Sequence, residues 1–313
     1  MLYEVMQNDG CYFPLPVITR EKASIILDEL YSWEASRQSD CEVVQQQQLT
    51  GDDRFDIHLL FPWAAALVRH PTLVNAVRDA LGTNNILVWS SDINSKPPHS
   101  QKYVSPHQDS TYANLTPATG AVTAWVALTD APVEAGCMTF AIGSHLLGQL
   151  PHKREDEDDM IVGENSMNDN NMLTFNQTID GYGENDYKGR VEVGTLKAGE
   201  SSLHYFHTVH WSTPNTTDYP RVGLAIRYIR ADIRRCCEEE QNFKHHLTRE
   251  SATLVSGIYD PSIGEFDLEP EPKISAGVNE LRVHSDSLAR QRMNYFASGG
   301  NNNNTVNTQG GYK

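Results

Sequence analysis

Apolar and polar residues alternate with period two through the middle of the chain, whereas the three-and-four spacing that marks helices is confined to its ends. Between Thr119 and Asp130, Val122, Ala124, Val126 and Leu128 share one face, and Thr123, Trp125 and Ala127 the other. Asn85 to Asn94, Glu192 to Leu196, Ser201 to His210 and Arg221 to Ile229 read as further strands. Pro214-Asn215-Thr216-Thr217 supplies the turn before the last of them, and Val133 to Phe140 reads as a turn and a strand. Upstream, Asn8 to Leu15 suggests a turn and a short strand. Thr19 then caps a helix whose apolar positions are Ile25, Ile26, Leu30 and Trp33. Phe61 to Leu81 is mostly helical, with Pro71 in a first-turn position and Gly82 as its stop. The last helix ends near Phe296.

Many short strands, helices at the N-terminal edge and no βαβ alternation predict a mainly β protein with flanking helices, built on a double-sheet jelly roll. One domain is expected over residues 1–297. Within it, 153–190 forms an insert carrying the acidic run Glu155 to Asp159, which reads as a solvated face. The less polar part of the insert, Asn171 to Ile179, is suited to fold over a site as a lid. Residues 298–313, with four consecutive asparagines, are expected to be a disordered tail.

Composition narrows the function classes. A formal charge of −16 argues against nucleic acid and against anionic membranes. No apolar stretch approaches the roughly 20 residues of a spanning helix, and the first residues lack a signal-peptide pattern. Five cysteines at scattered positions (11, 41, 137, 236 and 237) fit reduced thiols better than a disulfide framework or a zinc site. A soluble, cytoplasmic protein is the expectation.

Candidate chemistry lies in Ser105-Pro106-His107-Gln108-Asp109-Ser110. In an extended segment, residues two apart project to one face, so His107 and Asp109 point together and form two thirds of a 2-His-1-carboxylate triad. A second His-x-Asp, His284-Ser285-Asp286, opens an apparently helical run, where Ser285 or Asp286 reads as an N-cap. The third ligand could be His204, His207 or His210. On one continuous strand 204 and 210 share a face and 207 opposes them.

Read together, these pieces resemble the phytanoyl-CoA dioxygenase family of Fe(II)/2-oxoglutarate oxygenases. The resemblance rests on Lys96-Pro97-Pro98, then Ser105 to Tyr112, Val122 to Leu128, Ala135-Gly136-Cys137-Met138 and Gly143-Ser144-His145. It closes with Val209-His210-Trp211-Ser212-Thr213-Pro214-Asn215 and Arg221. Asn171 to Gln177 and Arg221 to Tyr228 are similar to the halogenase-type, natural-product branch. Halogenases replace the metal carboxylate with a small residue, and Asp109 fills that position here, so hydroxylation is expected.

The resemblance implies a cupin-like double-stranded β-helix holding Fe(II) on His107, Asp109 and His210, with 2-oxoglutarate and O2 as cosubstrates. It implies Arg221 for the distal carboxylate of 2-oxoglutarate, since a guanidinium matches a carboxylate bidentately. Gly223 and Ala225 on the same face leave room for a ligand. Lys96, Thr123 and Trp125 occupy family positions near the cosubstrate, although Trp125 serves equally as core. Ser212 is a weaker candidate, equally suited to a turn hydrogen bond. Arg227 shares the parity of Arg221 and either anchors an anionic substrate or makes an ion pair at the barrel rim. The expected reaction hydroxylates an unactivated C–H bond of a small natural-product-like molecule and releases succinate and CO2. Desaturation, epoxidation and cyclisation would use the same cofactors. A jelly-roll binding module with a structural metal, or a zinc hydrolase, would lack a use for Arg221 or a paired general base.

Overall fold

The computed structural model describes residues 2–38, 54–113, 115–154, 170–173, 177–182, 187–235, 249–262 and 264–298. In chain order the elements are α1 (Leu2–Asp9), β1 (Cys11–Pro16), α2 (Arg20–Gln38), α3 (Pro62–Val68), α4 (Pro71–Leu81), β2 (Ile86–Lys96) and β3 (Val104–His107). They continue with α5 (Ser110–Ala113), β4 (Leu115–Thr116), β5 (Ala121–Ala127), β6 (Met138–Ala141), β7 (Lys153–Arg154), β8 (Gln177–Thr178) and β9 (Val191–Gly194). The rest are β10 (Glu200–Tyr205), β11 (His210–Ser212), β12 (Arg221–Arg230), β13 (Arg234–Arg235), β14 (Glu250–Ser256), β15 (Phe266–Leu268) and α6 (Val278–Ser298).

Seven strands form one sheet in the order β1-β10-β5-β12-β2-β14-β15, and four form a second, β3-β11-β6-β9. The two face each other as the expected double-stranded β-helix. Strict alternation sorts the faces of the large sheet. Val122, Ala124 and Val126 of β5, with Val222, Leu224, Ile226 and Tyr228 of β12, pack into one core cluster with residues of α1, α2, α3 and α4. That buried area supplies most of the hydrophobic stabilisation, at roughly 25 cal/mol per Å². The opposite face lines the barrel. Register places Arg221, Gly223, Ala225 and Arg227 beside Lys96, Asn94, Asp92 and Ser90, and the last three of the β12 row beside Ala127, Trp125 and Thr123.

Local chemistry sets the helix ends. The Lys22 amide donates to Thr19 Oγ1 at 3.2 Å, so Thr19 caps α2. The helical stretch ending at Leu81 is two helices, not one: Pro71 opens α4, and the His70 ring accepts from the Thr72 amide as its cap. Gly82, at φ 64°, terminates α4 in the left-handed conformation that glycine tolerates.

Several expectations are corrected. Leu2–Asp9 is helical, and β14 and β15 extend the large sheet where no strand was expected. His284 lies well inside α6, which begins at Val278, so His284-Ser285-Asp286 caps nothing; the His284 ring contacts the Phe55 carbonyl at 2.7 Å. The stretch Ser201 to His210 is two strands, because the chain turns between them, with the Thr208 amide donating to the Tyr205 carbonyl at 2.9 Å. Cys11 and Cys137 are free and buried. The other three cysteines, the acidic run and 299–313 of the tail lie outside the described residues. Among the described residues, no helix is long and apolar enough to cross a membrane.

Candidate metal centre

The turn after β10 decides the histidine question on grounds other than parity. It leaves His204 in the large sheet and carries His210 into the small one, where His210 pairs directly with His107 of β3. Their rings lie 4.1 Å apart between centroids. Asp109 follows β3, and ligand atoms of His107, Asp109 and His210 all fall within 4.8 Å of one another. His207 is not in this group.

Each ring is turned the same way by the backbone. Nδ1 of His107 contacts the Ser105 carbonyl at 3.0 Å, and Nδ1 of His210 contacts the Thr208 carbonyl at 3.0 Å. A carbonyl only accepts, so both Nδ1 atoms carry the proton and both Nε2 atoms present a lone pair inward. Asp109 Oδ1 lies 3.6 Å from His107 Nε2 and 3.9 Å from His210 Nε2. Nε2 of His107 is buried and has no hydrogen-bond partner. A buried nitrogen acceptor left unmet is costly. With two imidazoles and a carboxylate converging, the donor set suits a divalent transition metal.

Electrostatics agree with that use. Burial pushes the Asp109 carboxyl up, but His107, His204 and His210 outweigh it and hold the group well below the usual carboxylate range. Burial, then the neighbouring His107 and His204, pushes His210 well below the ordinary imidazole value. A carboxylate and a neutral imidazole are the forms that ligate.

Around Asp109 stand three donors. Thr123 Oγ1 reaches Oδ2 at 2.5 Å, His204 Nε2 lies 3.3 Å from the same oxygen, and the Tyr112 hydroxyl donates to Oδ1 at 2.5 Å. Thr123 is thus set on the carboxylate. Behind the motif, Gln108 points away, as its parity requires. It donates to the Gly148 and His207 carbonyls at 2.8 and 2.7 Å, accepts from the Leu150 amide, and gives its own amide to His152 Nε2 at 3.0 Å.

Beside the triad, a small cleft is lined by Asn94, Val104, Trp125, Met138, Met172, His210, Trp211, Ser212 and Arg221. Arg221 is buried with its guanidinium 5.0 Å from the Trp125 ring centroid. Directly across the strand pair, Lys96 is fully buried and donates to Ser212 Oγ at 2.7 Å and to the Thr213 carbonyl at 2.5 Å. Burial and the adjacent Arg221 push the Lys96 ammonium well below its usual value. Arg221 presents its guanidinium at one end of this cleft, with Lys96 buried behind it on Ser212, and a guanidinium is suited to an anion. Gly223 makes the room: a β-carbon there would lie 2.1 Å from Trp125 Cζ2.

Arg227 sits toward the other end of the same row. It ion-pairs with Asp92, donates to Ser90 Oγ at 3.2 Å, and gives its Nε to the Tyr112 hydroxyl at 2.8 Å. From the insert, Asn171 donates to Ser105 Oγ at 2.9 Å, Ser105 Oγ donates to the Gln177 carbonyl, and Met172 lines the cavity, so these parts of it lie against β3. Tyr112, Asp92, Asn94 and His152 were not among the residues expected. The signal for Tyr112 was a hydroxyl three positions after Asp109, within one helical turn.

Fold and site together present two imidazoles and a carboxylate that could hold a metal ion on a double-stranded β-helix. The sequence profile of the phytanoyl-CoA dioxygenase (PhyH) family matches residues 19–223, and the chain belongs to that family. It is 37% identical over 81 residues to the mouse phytanoyl-CoA dioxygenase domain-containing protein 1, covering 26% of this chain and 28% of that one. It is 29% identical over 175 residues to a probable alpha-ketoglutarate-dependent hypophosphite dioxygenase of Stutzerimonas stutzeri, covering 56% of each. The matches thus span between about a quarter and just over half of these curated relatives. Among solved structures, the apo form of the non-heme monooxygenase ThoJ is similar at a TM-score of 0.75 and 27% identity, over 95% of this chain and 99% of that one.

Proposed function

We propose that this protein is an Fe(II)/2-oxoglutarate-dependent dioxygenase that hydroxylates an unactivated C–H bond of a small molecule of natural-product type. The observation carrying the reading is the convergence of His107 Nε2, His210 Nε2 and Asp109 Oδ1, with both Nδ1 atoms pinned by backbone carbonyls. The similarity to a relative named for alpha-ketoglutarate and to a non-heme monooxygenase supports it.

His107, Asp109 and His210 would hold the iron. Once bound, iron supplies activation of O2 coupled to decarboxylation of the ketoacid to succinate and CO2. Three protein ligands leave coordination positions for that chemistry. Arg221 would receive the distal carboxylate of 2-oxoglutarate, with Trp125 and Lys96 near the cosubstrate, and Ser212 holds Lys96 in place. Thr123 and His204 fix Asp109 Oδ2, which keeps Oδ1 toward the histidines. Residues 171–173 and 177–179 of the expected lid lie against β3 beside the site and would help exclude water, while 174–176 lie outside the described residues. Asp109 occupies the position that a halide would need, which favours hydroxylation.

The test is anaerobic addition of Fe(II) and 2-oxoglutarate. A weak visible charge-transfer band that is absent in His107→Ala is the expected result. Admission of air with a panel of natural-product precursors should then release succinate and a product heavier by one oxygen. No band in the wild-type protein, at saturating metal and ketoacid, would overturn the assignment. Products lacking the added oxygen would redirect it to desaturation or cyclisation at the same centre.

A further inference from the structure

We propose that Tyr112 is a positioning residue for the metal-binding carboxylate, and that Arg227, locked by Asp92, acts on the centre through Tyr112 rather than by receiving a charged substrate. The inference rests on the metal reading of His107, Asp109 and His210.

The two oxygens of Asp109 are not equivalent. Oδ2 faces Thr123 and His204, whereas Oδ1 faces both histidine rings and receives the Tyr112 hydroxyl at 2.5 Å. Tyr112 therefore touches the oxygen that a metal would use. A phenol is both donor and acceptor, and its hydrogen rotates to suit its neighbours. Here that freedom is removed. A guanidinium has only donors, so the 2.8 Å contact from Arg227 Nε occupies the phenol as an acceptor and leaves its one proton for Asp109.

Arg227 is fixed in turn. Its ion pair with Asp92 is buried on both sides, with side chains 4% and 3% exposed, and Ser90 takes a second bond from the same nitrogen. The guanidinium also lies 5.3 Å from the Tyr112 ring centroid. Direction thus runs one way, from Asp92 through Arg227 and Tyr112 to Oδ1. Interior strand residues of β2 and β12 hold its first two members, and the short helix α5 brings the third back to Asp109. Outer contacts of this kind, which orient a ligand and tune its basicity, typically alter metal affinity 10–100-fold. An arginine already engaged at Nε and NH1 is poorly placed to accept a substrate anion without releasing Asp92 as an uncompensated buried charge.

The experiment measures anaerobic Fe(II) affinity and the ligand-field spectrum of the Co(II)-loaded protein in a double-mutant cycle. Tyr112→Phe keeps the ring and removes the hydroxyl. Asp92→Asn combined with Arg227→Met removes both charges together, so neither is left unpaired. Metal affinity should fall about 10–100-fold in Tyr112→Phe, with a shifted Co(II) spectrum. The Asp92/Arg227 variant should move both readouts in the same direction by less, and the combined variant should match Tyr112→Phe alone. A Tyr112→Phe protein with wild-type affinity and spectrum would overturn the proposal, as would fully additive effects. If the Asp92/Arg227 variant does not fold, Tyr112→Phe decides alone. Failure of the underlying reading is separate: the wild-type protein would then bind no metal, or bind it equally well as His107→Ala.

Discussion

If Arg221 receives the distal carboxylate of 2-oxoglutarate, its removal should cost affinity only for ketoacids that possess that group. Arg221 is buried, braced on Trp125, and stands across the strand pair from Lys96. Removing one partner of a buried, hydrogen-bonded charge pair costs about 2–5 kcal/mol. The Lys96–Ser212 pair beside the same cleft still offers a hydrogen-bond donor, which places the expected loss at the lower end. Some 2–3 kcal/mol corresponds to roughly a 30–150-fold weaker Kd. The assay is anaerobic titration of the metal-loaded protein with 2-oxoglutarate and with 2-oxopentanoate, which has the same ketoacid head and no distal carboxylate. Wild-type protein should prefer 2-oxoglutarate strongly. Arg221→Met should lose that preference, with 2-oxopentanoate affinity unchanged to within about twofold, the scatter expected of an independent site. Equal losses for both ligands would show that Arg221 supports Trp125 and the barrel wall instead, and the reasoning would fail.

Three further outcomes are expected. Gly223→Ala should drive a β-carbon into Trp125, lower stability by about 1–3 kcal/mol as overpacking does, and weaken ketoacid binding; thermal unfolding and tryptophan fluorescence report it. Burial pushes His152 down to about 4 from 6.5. Its stabilising contribution is therefore complete above the unfolded value near 6.5 and is lost as pH falls toward 4, by about 3 kcal/mol at most. Urea midpoints of the metal-free protein should show this decline, and His152→Gln should flatten it; an unchanged pH profile in the variant would refute it. A divalent metal at about a thousand times its Kd should stabilise the wild-type protein by about 4 kcal/mol, and His210→Ala should abolish the shift in calorimetry.

How much of this was legible depended on whether a signal was local. The two faces of β5 and the small residues Gly223 and Ala225 beside Arg221 follow from period-two alternation, and the structure keeps both patterns. The His-x-Asp pair is equally local. His210 was not readable by parity, because the turn between Tyr205 and His210 moves the chain from one sheet to the other. A parity argument holds only along an unbroken strand. Chain breaks of this kind leave little trace in composition. In Phe206-His207-Thr208-Val209 neither glycine nor proline marks the turn. The strands β14 and β15 escaped for a different reason: Glu250 to Ser256 opens on a charged residue that is buried against Trp89 and Arg235. His284 misled because a short His-x-Asp followed by helical spacing looks the same at a helix start and in a helix interior.

The interior row of β2 shows why fold and site cannot be read apart. Ser90, Asp92, Asn94 and Lys96 are all buried in the middle of a sheet, where apolar side chains would stabilise the protein more. Asp92 Oδ1 and Asn94 Nδ2 have no hydrogen-bond partner there. Each such group costs about 1–3 kcal/mol. The other face of the same sheet offsets that cost, since Val222, Leu224, Ile226 and Tyr228 on β12 pack beneath helices with almost no exposure. One strand therefore serves two purposes through its alternation: positions 221, 223, 225 and 227 of β12 form the interior row that faces the site, and the even-numbered ones anchor the strand rigidly enough to hold it. Rigidity of this kind is what keeps His107 and His210 in register although their strands, β3 and β11, are only 4 and 3 residues long. The short strands could not fix the centre alone. Thr123 and His204, reaching Asp109 from the large sheet, tie them to the part of the molecule that carries the core.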